Sequence, residues 1–313
     1  MQEIAVGKND ANQRLDKFLL KLMPNIPKSM LYKSLRKNCV KINGRHIKDG
    51  SARLSEGDIL SLYFADSFFE KPSYAADFMK ISPVLDIIYE DENLIIVNKP
   101  QGVLVHEDEK QNPDNLLSHI KSYLYKKGEY LPDEEHTFAP ALANRIDRGT
   151  GGIVLAAKNA ETLRILNEKI KNREIKKFYL CLAYGHFREK EAEIRGYILR
   201  DDKSKKTLFS EKETAGSKET VTAYRVLEEF PEYSLLEIEL KTGRTHQIRA
   251  VLAHLGHSLL GDRKYTKAEI NRKFPFSEQA LYAYKIKFDF KSDAGLLEYL
   301  DGRIFEIENA EFK

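Results

Sequence analysis

The sequence predicts an α+β protein of two domains. A small N-terminal domain of two short helices and a few strands precedes a larger domain of mixed, mainly antiparallel β-sheet with flanking helices. Three observations predict this: a length of 313 residues, about twice that of a usual domain; an early basic segment; and apolar spacing that changes from helical to strand-like along the chain. We expect the domains at 1–65 and 83–313, joined by a linker over 66–82.

Composition limits the class of protein. Hydrophobic residues make up 42% and charged residues 32%, which is ordinary for a folded globular chain. No apolar stretch reaches the roughly 18 to 20 residues that span a bilayer, and the first residues lack a signal-peptide apolar region. We therefore expect a cytoplasmic protein without membrane association. Cys39 and Cys181 lack CxxC spacing, so neither a disulfide framework nor a zinc site is expected.

Charge is distributed unevenly along the chain. Residues 1–65 hold 12 Lys and Arg against 6 Asp and Glu, whereas the whole chain has a net charge of only +3. A basic small domain beside a near-neutral larger one indicates that the first binds a polyanion. RNA or DNA is therefore the expected partner.

The basic segment contains two predicted helices and short strands. RLDKFLLKLM (14–23) has its apolar residues at helical spacing, and KSMLYKSLRK follows with Lys33, Arg36 and Lys37 on one face, where they could lie along a phosphate backbone. Turns at 43–44 (Asn-Gly) and 57–58 (Gly-Asp) predict strands beside them. A basic helix face alone is more often merely solvated, but the pattern of the whole segment favours RNA binding.

The larger domain begins with a strand, an acidic turn over 90–93 and a second strand, in VLDIIYEDENLIIVNKP. A loop with Lys99, Pro100 and Gly102 follows. The preceding residues 66–82 show neither helical nor strand spacing and contain Pro72, which is why we interpret them as a linker.

The stretch NRIDRGTGGIVLAAKN places Asp147 in a polar, glycine-rich loop that enters a short apolar strand. Arg145 and Arg148 flank the carboxylate, and nearby positive charge keeps an Asp ionised. Glycines after it permit close approach of a substrate. From chemistry alone, a structural turn with a surface ion pair is the commoner meaning of such a loop, and catalysis is the alternative.

Two later segments add candidate residues. IKKFYLCLAYGHF is a strand-like segment carrying Tyr179, and LKTGRTHQIRAVLAHLGHSLLGD has Arg244 where a helix begins that ends near Gly256. Three histidines in it do not have HExxH spacing, so ordinary helix-face or capping roles are expected rather than a metal site; they are His246, His254 and His257.

Together these motifs resemble a known family. Residues 12–64, with RLDKFL, KSMLYKSLRK and VKING, resemble the RNA-binding domain named after small-subunit ribosomal protein S-four. NKPQGVLVHE, NRIDRGTGGIVLAAKN, KKFYLCL and LKTGRTHQIRAVLAHLGHSLLGD occur in the order seen in RluA-type pseudouridine synthases, and the chain is most similar to their ribosomal large-subunit branch. The resemblance covers the chain after residue 11.

The resemblance implies an isomerase that converts uridine to pseudouridine in structured RNA, notably 23S ribosomal RNA, by base flipping and as a monomer without cofactor or metal. Asp147 would be the catalytic aspartate, Arg145 the residue that displaces the target base, Tyr179 the ring that stacks on uracil, and Arg244 the ion-pair partner of Asp147. The implied supporting residues are Lys99, Pro100, Gly102 and Thr150.

The chain departs from the family pattern at three positions. The usual H-R-L-D-x-x-T-S-G has Asn144 in place of His and Gly151 in place of Ser, and Tyr282 stands where a His is usual. Because the Arg, Asp and Thr of the motif are present, we expect the activity to be kept, with its rate and target left open.

Asp147 could attack the ribose anomeric carbon, attack carbon six of the base, or remove the C2′ proton to give a glycal. The sequence does not choose among these routes. Two other classes stay open: a non-catalytic RNA-binding or ribosome-assembly factor with a degenerate synthase domain, and a hydrolytic glycosidase, which generally needs two carboxylates. The acidic residues 107–109 (Glu-Asp-Glu) are expected to be a solvated loop instead.

Overall fold

The computed structural model describes residues 1–70, 73–107, 114–201 and 203–313, and the side chains of 73–76 are left aside. Internal contacts divide the chain into two compact units. The N-terminal unit comprises residues 1–83, 118–141 and 158–161, and the sheet unit comprises 84–117, 142–157 and 162–313. Within these described ranges, no helix has the length and apolar character needed to cross a bilayer.

The N-terminal unit begins with two helices and a four-stranded sheet in the order β1-β4-β2-β3. The bounds are β1 Gln2–Ala5, α1 Leu15–Leu22, α2 Lys28–Arg36, β2 Val40–Ile42, β3 Arg45–His46 and β4 Ile59–Leu62. The predicted pair of helices followed by short strands is confirmed.

Local sequence explains these elements. One face of α1 is buried in the core of the unit, because its apolar residues recur at helical spacing. Asn43 and Gly44 have φ of 51° and 78°, the left-handed pair that a two-residue hairpin turn requires. At the C-terminal end of α2, Lys33, Arg36 and the C-cap residue Lys37 are exposed.

The sheet unit contains an 11-stranded sheet whose main path is β11-β10-β12-β13-β9-β14-β8-β6-β5, with β15 pairing with β14 and β7 with β8. Only the β14–β8 pairing is parallel among the pairings described. The elements that follow β4 along the chain are β5 Ile87–Glu90, β6 Leu94–Lys99, α3 Leu116–Lys126, β7 Ala141–Leu142, β8 Gly151–Ala157, α4 Ala160–Lys171, β9 Ile175–Tyr184, β10 Glu191–Asp201, β11 Lys206–Ser210, β12 Lys218–Glu229, β13 Tyr233–Leu240, α5 Gln247–His254, α6 Ala268–Asn271, β14 Leu281–Phe288 and β15 Ile304–Glu306. Most of α3, residues 118–126, belongs to the N-terminal unit. This confirms the mixed, mainly antiparallel sheet with flanking helices.

The segment predicted as a linker contains short 3₁₀ turns at Asp66–Phe68 and Ser73–Lys80. Phe78 is buried, with its ring 6.2 Å from that of Tyr125 and 5.7 Å from that of Tyr130. Positions 71 and 72, and with them Pro72, lie outside the described residues. The limits 1–65, 66–82 and 83–313 stay a prediction.

The centre of the sheet brings two loops and a strand to one place. Every residue of β8 is buried, which agrees with its run of small and apolar residues. In β14, Tyr282 pairs with Gly151 of β8 and with Leu180 of β9. The loop that precedes β8, strand β9 and the loop between β13 and α5 therefore converge on the same cleft.

Candidate active site

Asp147 lies in the loop that precedes β8, and backbone hydrogen bonds fix this loop. The Thr150 N–H donates to the Asp147 carbonyl at 3.0 Å. The Gly102 N–H donates to the Arg148 carbonyl, and Arg148 Nε donates back to the Gly102 carbonyl, both at 2.9 Å. Gly102 has φ of 91°, which a side chain would resist. The loop after β6 thus supports the Asp147 loop.

Lys99 links the same two loops through hydrogen bonds. Its side chain is fully buried, and Nζ donates to the carbonyls of Pro100, Val103 and Arg148 at 2.9, 2.8 and 3.0 Å. Burial lowers the pKa of Lys99 to about 7, against the opposing pull of the nearby Asp147 charge. Lys99 therefore holds the carbonyl next to Asp147 with an ammonium that titrates near neutrality.

The carboxylate of Asp147 is held by Arg249. Arg249 Nη1 lies 2.8 Å from Asp147 Oδ2, while Nε and Nη2 donate to the two oxygens of Asp262 at 2.7 and 2.8 Å. Asp262 is fully buried and the side chain of Asp147 is 27% exposed. Burial lowers the pKa of Arg249, but the two carboxylates raise it more, and the net result is a raised pKa. The guanidinium is thus a fixed positive charge aimed at a solvent-facing carboxylate.

This geometry corrects the predicted ion pair between Arg244 and Asp147, which is wrong. Arg244 is exposed, and its Nε donates to the Glu219 carbonyl at 3.2 Å. The two arginines lie on either side of the α5 N-terminus, and only Arg249, within the helix, projects inward. A buried Arg among apolar helix residues needs a carboxylate partner, and that signal in QIRAVLAH could have identified Arg249 from the sequence.

His246 adds a neutral group beside the carboxylate. Its Nε2 lies 3.7 Å from Asp147 Oδ2, and its Nδ1 lies 3.0 Å from the hydroxyl of Tyr265, which accepts the Thr207 N–H at 2.7 Å. Burial lowers the pKa of His246, although Asp147 opposes this. The residue has a left-handed backbone, φ 54°, which is uncommon for a residue other than glycine.

Tyr179 and Arg145 line the cleft in front of Asp147. Tyr179 is 6% exposed, and burial, followed by the Asp147 charge, raises its pKa above the usual range, so the phenol stays neutral. Arg145 is exposed. The structure thus brings three of the predicted site residues, Asp147, Tyr179 and Arg145, to one cleft.

The cleft has a volume of about 660 Å³ and is strongly basic. Among the described residues its lining includes two carboxylates, Asp147 and Glu239. It also includes eight cationic side chains, which are Arg145, Lys171, Arg173, Lys176, Lys177, Lys241, Arg244 and Arg249. Such an excess attracts a polyanion, and the cleft is large enough for a nucleoside.

The departures from the family pattern have local explanations. A Cβ at Gly151 would lie 2.4 Å from the ring of Tyr282, so the larger ring at 282 and the missing side chain at 151 accommodate each other. The Tyr282 hydroxyl donates to Asn98 Oδ1 at 2.7 Å. Asn144 accepts the Leu155 N–H at 2.8 Å and donates to the Ile153 carbonyl, which pairs this loop with β8.

In the part of the chain that the structure describes, no cluster of three His, Cys, Asp or Glu suits a metal ion. The three histidines contact different partners. His254 lies edge-on to Phe209, and His257 stacks on Phe187, whereas His246 faces Asp147.

A solved structure has the same fold. "Human RNA Pseudouridylate Synthase Domain Containing 1" matches with a TM-score of 0.54 over 68% of this chain and 83% of its own, at 22% identity. Fold and cleft together define a mixed-sheet protein with one arginine-held carboxylate in a basic cleft suited to a polyanion.

Sequence comparison identifies the family. The model described as RNA pseudouridylate synthase matches residues 93–254, and the S4 domain model matches residues 13–60. An "Uncharacterized RNA pseudouridine synthase" of Mycoplasma capricolum is 33% identical over 100% of this chain and 99% of its own length. "Ribosomal large subunit pseudouridine synthase D" of Borreliella burgdorferi is 35% identical over 71% of this chain and 66% of its own. The chain belongs to the RNA pseudouridylate synthase family, which isomerises uridine in RNA.

Proposed function

We propose that this protein isomerises uridine to pseudouridine in large-subunit ribosomal RNA and that Asp147 is its catalytic carboxylate. The observation that carries the proposal is the chain Asp262–Arg249–Asp147, which directs one partly exposed carboxylate into a basic cleft. The ribosomal substrate is supported by the name of the Borreliella burgdorferi relative and by the S4 match.

The reaction breaks the bond between N1 of uracil and C1′ of ribose, turns the base and joins C1′ to C5, with loss of the C5 proton and gain of a proton at N1. Its atoms and electrons balance without an oxidant, a metal or nucleotide energy. Asp147 can act by attack on C1′, by attack on C6, or by removal of the C2′ proton. All three routes need an ionised and oriented carboxylate, which is the contribution of Arg249.

The target nucleotide must leave its helix before Asp147 can reach it, at a cost of a few kcal/mol. We propose that Tyr179 stacks on the extruded uracil, a contact worth roughly 1 to 3 kcal/mol. Arg145, exposed near the mouth of the cleft, would fill the space that the base leaves. Arg244 would contact the RNA backbone from the cleft rim.

The N-terminal region would supply affinity. Lys33, Arg36 and Lys37 are exposed on α2, where they can bind phosphates. We further propose the domain limits 1–65 and 83–313, and that the enzyme acts as a monomer in the cytoplasm, where its ribosomal substrate is found.

The test is tritium release from RNA labelled at uracil C5, with enzyme in excess so that slow turnover is visible. Asp147→Asn keeps the size of the side chain but removes its charge, so we expect the rate to fall by about 10⁴-fold. RNA affinity should stay within about tenfold, or 1.4 kcal/mol. Glu239→Gln is the matched control, because it neutralises the other carboxylate of the cleft and should keep most of the activity.

The outcomes separate the alternatives. Substantial release by Asp147→Asn would overturn the catalytic assignment. Release of free uracil that keeps its C5 tritium would favour glycoside hydrolysis, which breaks the C1′–N1 bond but not the C5–H bond. A comparable loss of tritium release in both variants would mean that both carboxylates take part in the reaction. No release by the unaltered protein from any cellular RNA would favour the RNA-binding or assembly factor.

A further inference from the structure

Lys177 is a cleft lysine that the reaction outlined above does not use. It precedes Tyr179 by two residues on β9, so both side chains leave the same face of the strand, roughly 7 Å apart. Both line the cleft. A cation is therefore held beside the ring proposed to stack on uracil.

The ammonium of Lys177 has no anionic partner among the described residues, unlike several neighbouring lysines. Lys176 pairs with Asp289 at 2.7 Å, and Lys241 pairs with Glu193. Lys177 is only partly exposed, whereas Lys171 and Arg173 of the same cleft are exposed and can be solvated. A sheltered and unpaired ammonium is costly unless an anion reaches it.

The surroundings of Lys177 leave room for such an anion. Its Nζ lies 3.5 Å from the position that a Cβ at Gly243 would take, so the neighbouring loop presents backbone there and no side chain. Burial lowers the pKa of Lys177, which agrees with an ammonium shielded from water.

We propose that Lys177 is a catalytic residue that donates a hydrogen bond to a carbonyl oxygen of the target uracil and stabilises the negative charge that the base acquires. The proposal rests on the proposed function, because it needs uridine in this cleft. A contact with an RNA phosphate suits Lys177 less well. The RNA backbone would pass through the solvent outside the cleft, and the exposed cations at the cleft rim are better placed to meet it there.

Each of the three routes open to Asp147 places negative charge on the uracil. Attack of Asp147 on C1′ breaks the C1′–N1 bond, and its electron pair moves to N1 and O2 of the base. Removal of the C2′ proton by Asp147 forms the C1′–C2′ double bond and leaves the same electron pair on the base. Attack on C6 moves the C5–C6 π electrons toward C5 and O4. A fixed cation near a carbonyl oxygen of the uracil therefore lowers the barrier whichever route operates.

The test compares Lys177→Gln and Lys177→Arg with the unaltered enzyme in single-turnover tritium release at saturating enzyme. Removing one donor to a developing oxyanion typically costs about 10² to 10³-fold in rate, and we expect a loss of that size for Lys177→Gln with RNA affinity changed by less than about threefold. Lys177→Arg keeps a cation and should recover at least a tenth of the rate. Lys287→Gln is the matched control, a partly exposed lysine of neighbouring strand β14 that is not part of the cleft lining.

Stability gives an independent readout. Because an unpaired sheltered charge is lost, the melting temperature of Lys177→Gln should equal or exceed that of the unaltered enzyme, whereas a purely structural lysine would lower it. A rate within threefold of normal, or weaker binding with a flatter salt dependence and a normal rate, overturns the inference and indicates a phosphate contact. Absence of release by the unaltered enzyme defeats the proposed function itself, so the two failures are distinguishable.

Discussion

The cations of α2 and those around Asp147 differ in how they are held. Lys33, Arg36 and Lys37 project from one helix into solvent, without ion-pair partners among the described residues. Arg249 is enclosed, and its three guanidinium nitrogens donate to two carboxylates. Its Cζ lies 5.1 Å from the centroid of the Tyr265 ring.

This difference assigns the two groups of cations different roles: those of α2 contribute to RNA affinity, and those around Asp147 contribute to the reaction. Exposed charges act through a screened field, so their contributions are small, additive and sensitive to salt. Enclosed charges act through fixed contacts, so removing one changes the geometry of the others. Substitutions on α2 should therefore alter RNA affinity. Substitutions in the cleft should alter the reaction rate and the stability, and their effects should not be additive.

After Asp147→Asn, the largest effect is expected for Arg249→Lys. An ammonium cannot hold Asp262 through two bonds and still reach Asp147, so the single-turnover rate should fall by about 10² to 10³-fold. Arg244→Lys is the matched control, since Arg244 does not contact Asp147, and its loss should be at least ten times smaller. A larger loss for Arg244→Lys in the tritium assay would restore Arg244 as the residue that orients Asp147.

A second test examines packing in the cleft wall. Gly151→Ala should lower the free energy of unfolding by about 1 to 3 kcal/mol, because the new methyl group meets the ring of Tyr282. Gly243→Ala is the control, since its Cβ would have only the flexible end of Lys177 within 4 Å.

Adding Tyr282→His to Gly151→Ala should recover part of that loss. Urea unfolding of the two single variants and the double variant measures the coupling, expected at about 0.5 to 3 kcal/mol. Strict additivity would mean that positions 151 and 282 changed independently of each other.

The third test uses the pKa of Lys99, which is about 7 in the folded protein against an ordinary 10.5. Above pH 7 the folded chain releases this proton while the unfolded chain keeps it, so the unfolded state binds more protons. The contribution of Lys99 to the free energy of unfolding therefore rises with pH, by up to about 1.4 kcal/mol per unit. Urea unfolding between about pH 7 and pH 9 should show a steeper rise for the unaltered protein than for Lys99→Met. Parallel lines would mean that Lys99 keeps the same charge in both states.

The smallest effect on the reaction rate is expected for substitutions on α2. Replacing Lys33, Arg36 and Lys37 together by Gln should weaken RNA binding and reduce the slope of log affinity against log salt by about two to three. The rate at saturating enzyme should not change. A triple Gln variant at exposed Lys212, Lys218 and Lys267 loses the same charge elsewhere. Equal slopes for the two triple variants would mean that net charge, rather than this helix face, governs binding.

Several features were determined by the sequence itself, because they depend on neighbouring residues. Apolar spacing determined α1, the Asn43-Gly44 pair determined the hairpin turn, and the run after Gly152 determined the buried strand β8. The candidate carboxylate was also identifiable, since Asp147, its flanking arginines and its glycines are contiguous.

Tertiary structure decided which residues complete the site. Arg249 and Asp147 are 102 residues apart, and Asp262 is 13 residues beyond Arg249, so no local pattern shows that Arg249 pairs with these two carboxylates. The same holds for Gly151 and Tyr282, whose dependence on each other arises from the pairing of β8 with β14. Residues 118–141 likewise join the N-terminal unit, through contacts such as Thr137 Oγ1 donating to Asp10 at 2.6 Å. Local propensity follows from the neighbouring residues, but partner choice depends on which side chains the folded sheet brings within hydrogen-bonding distance.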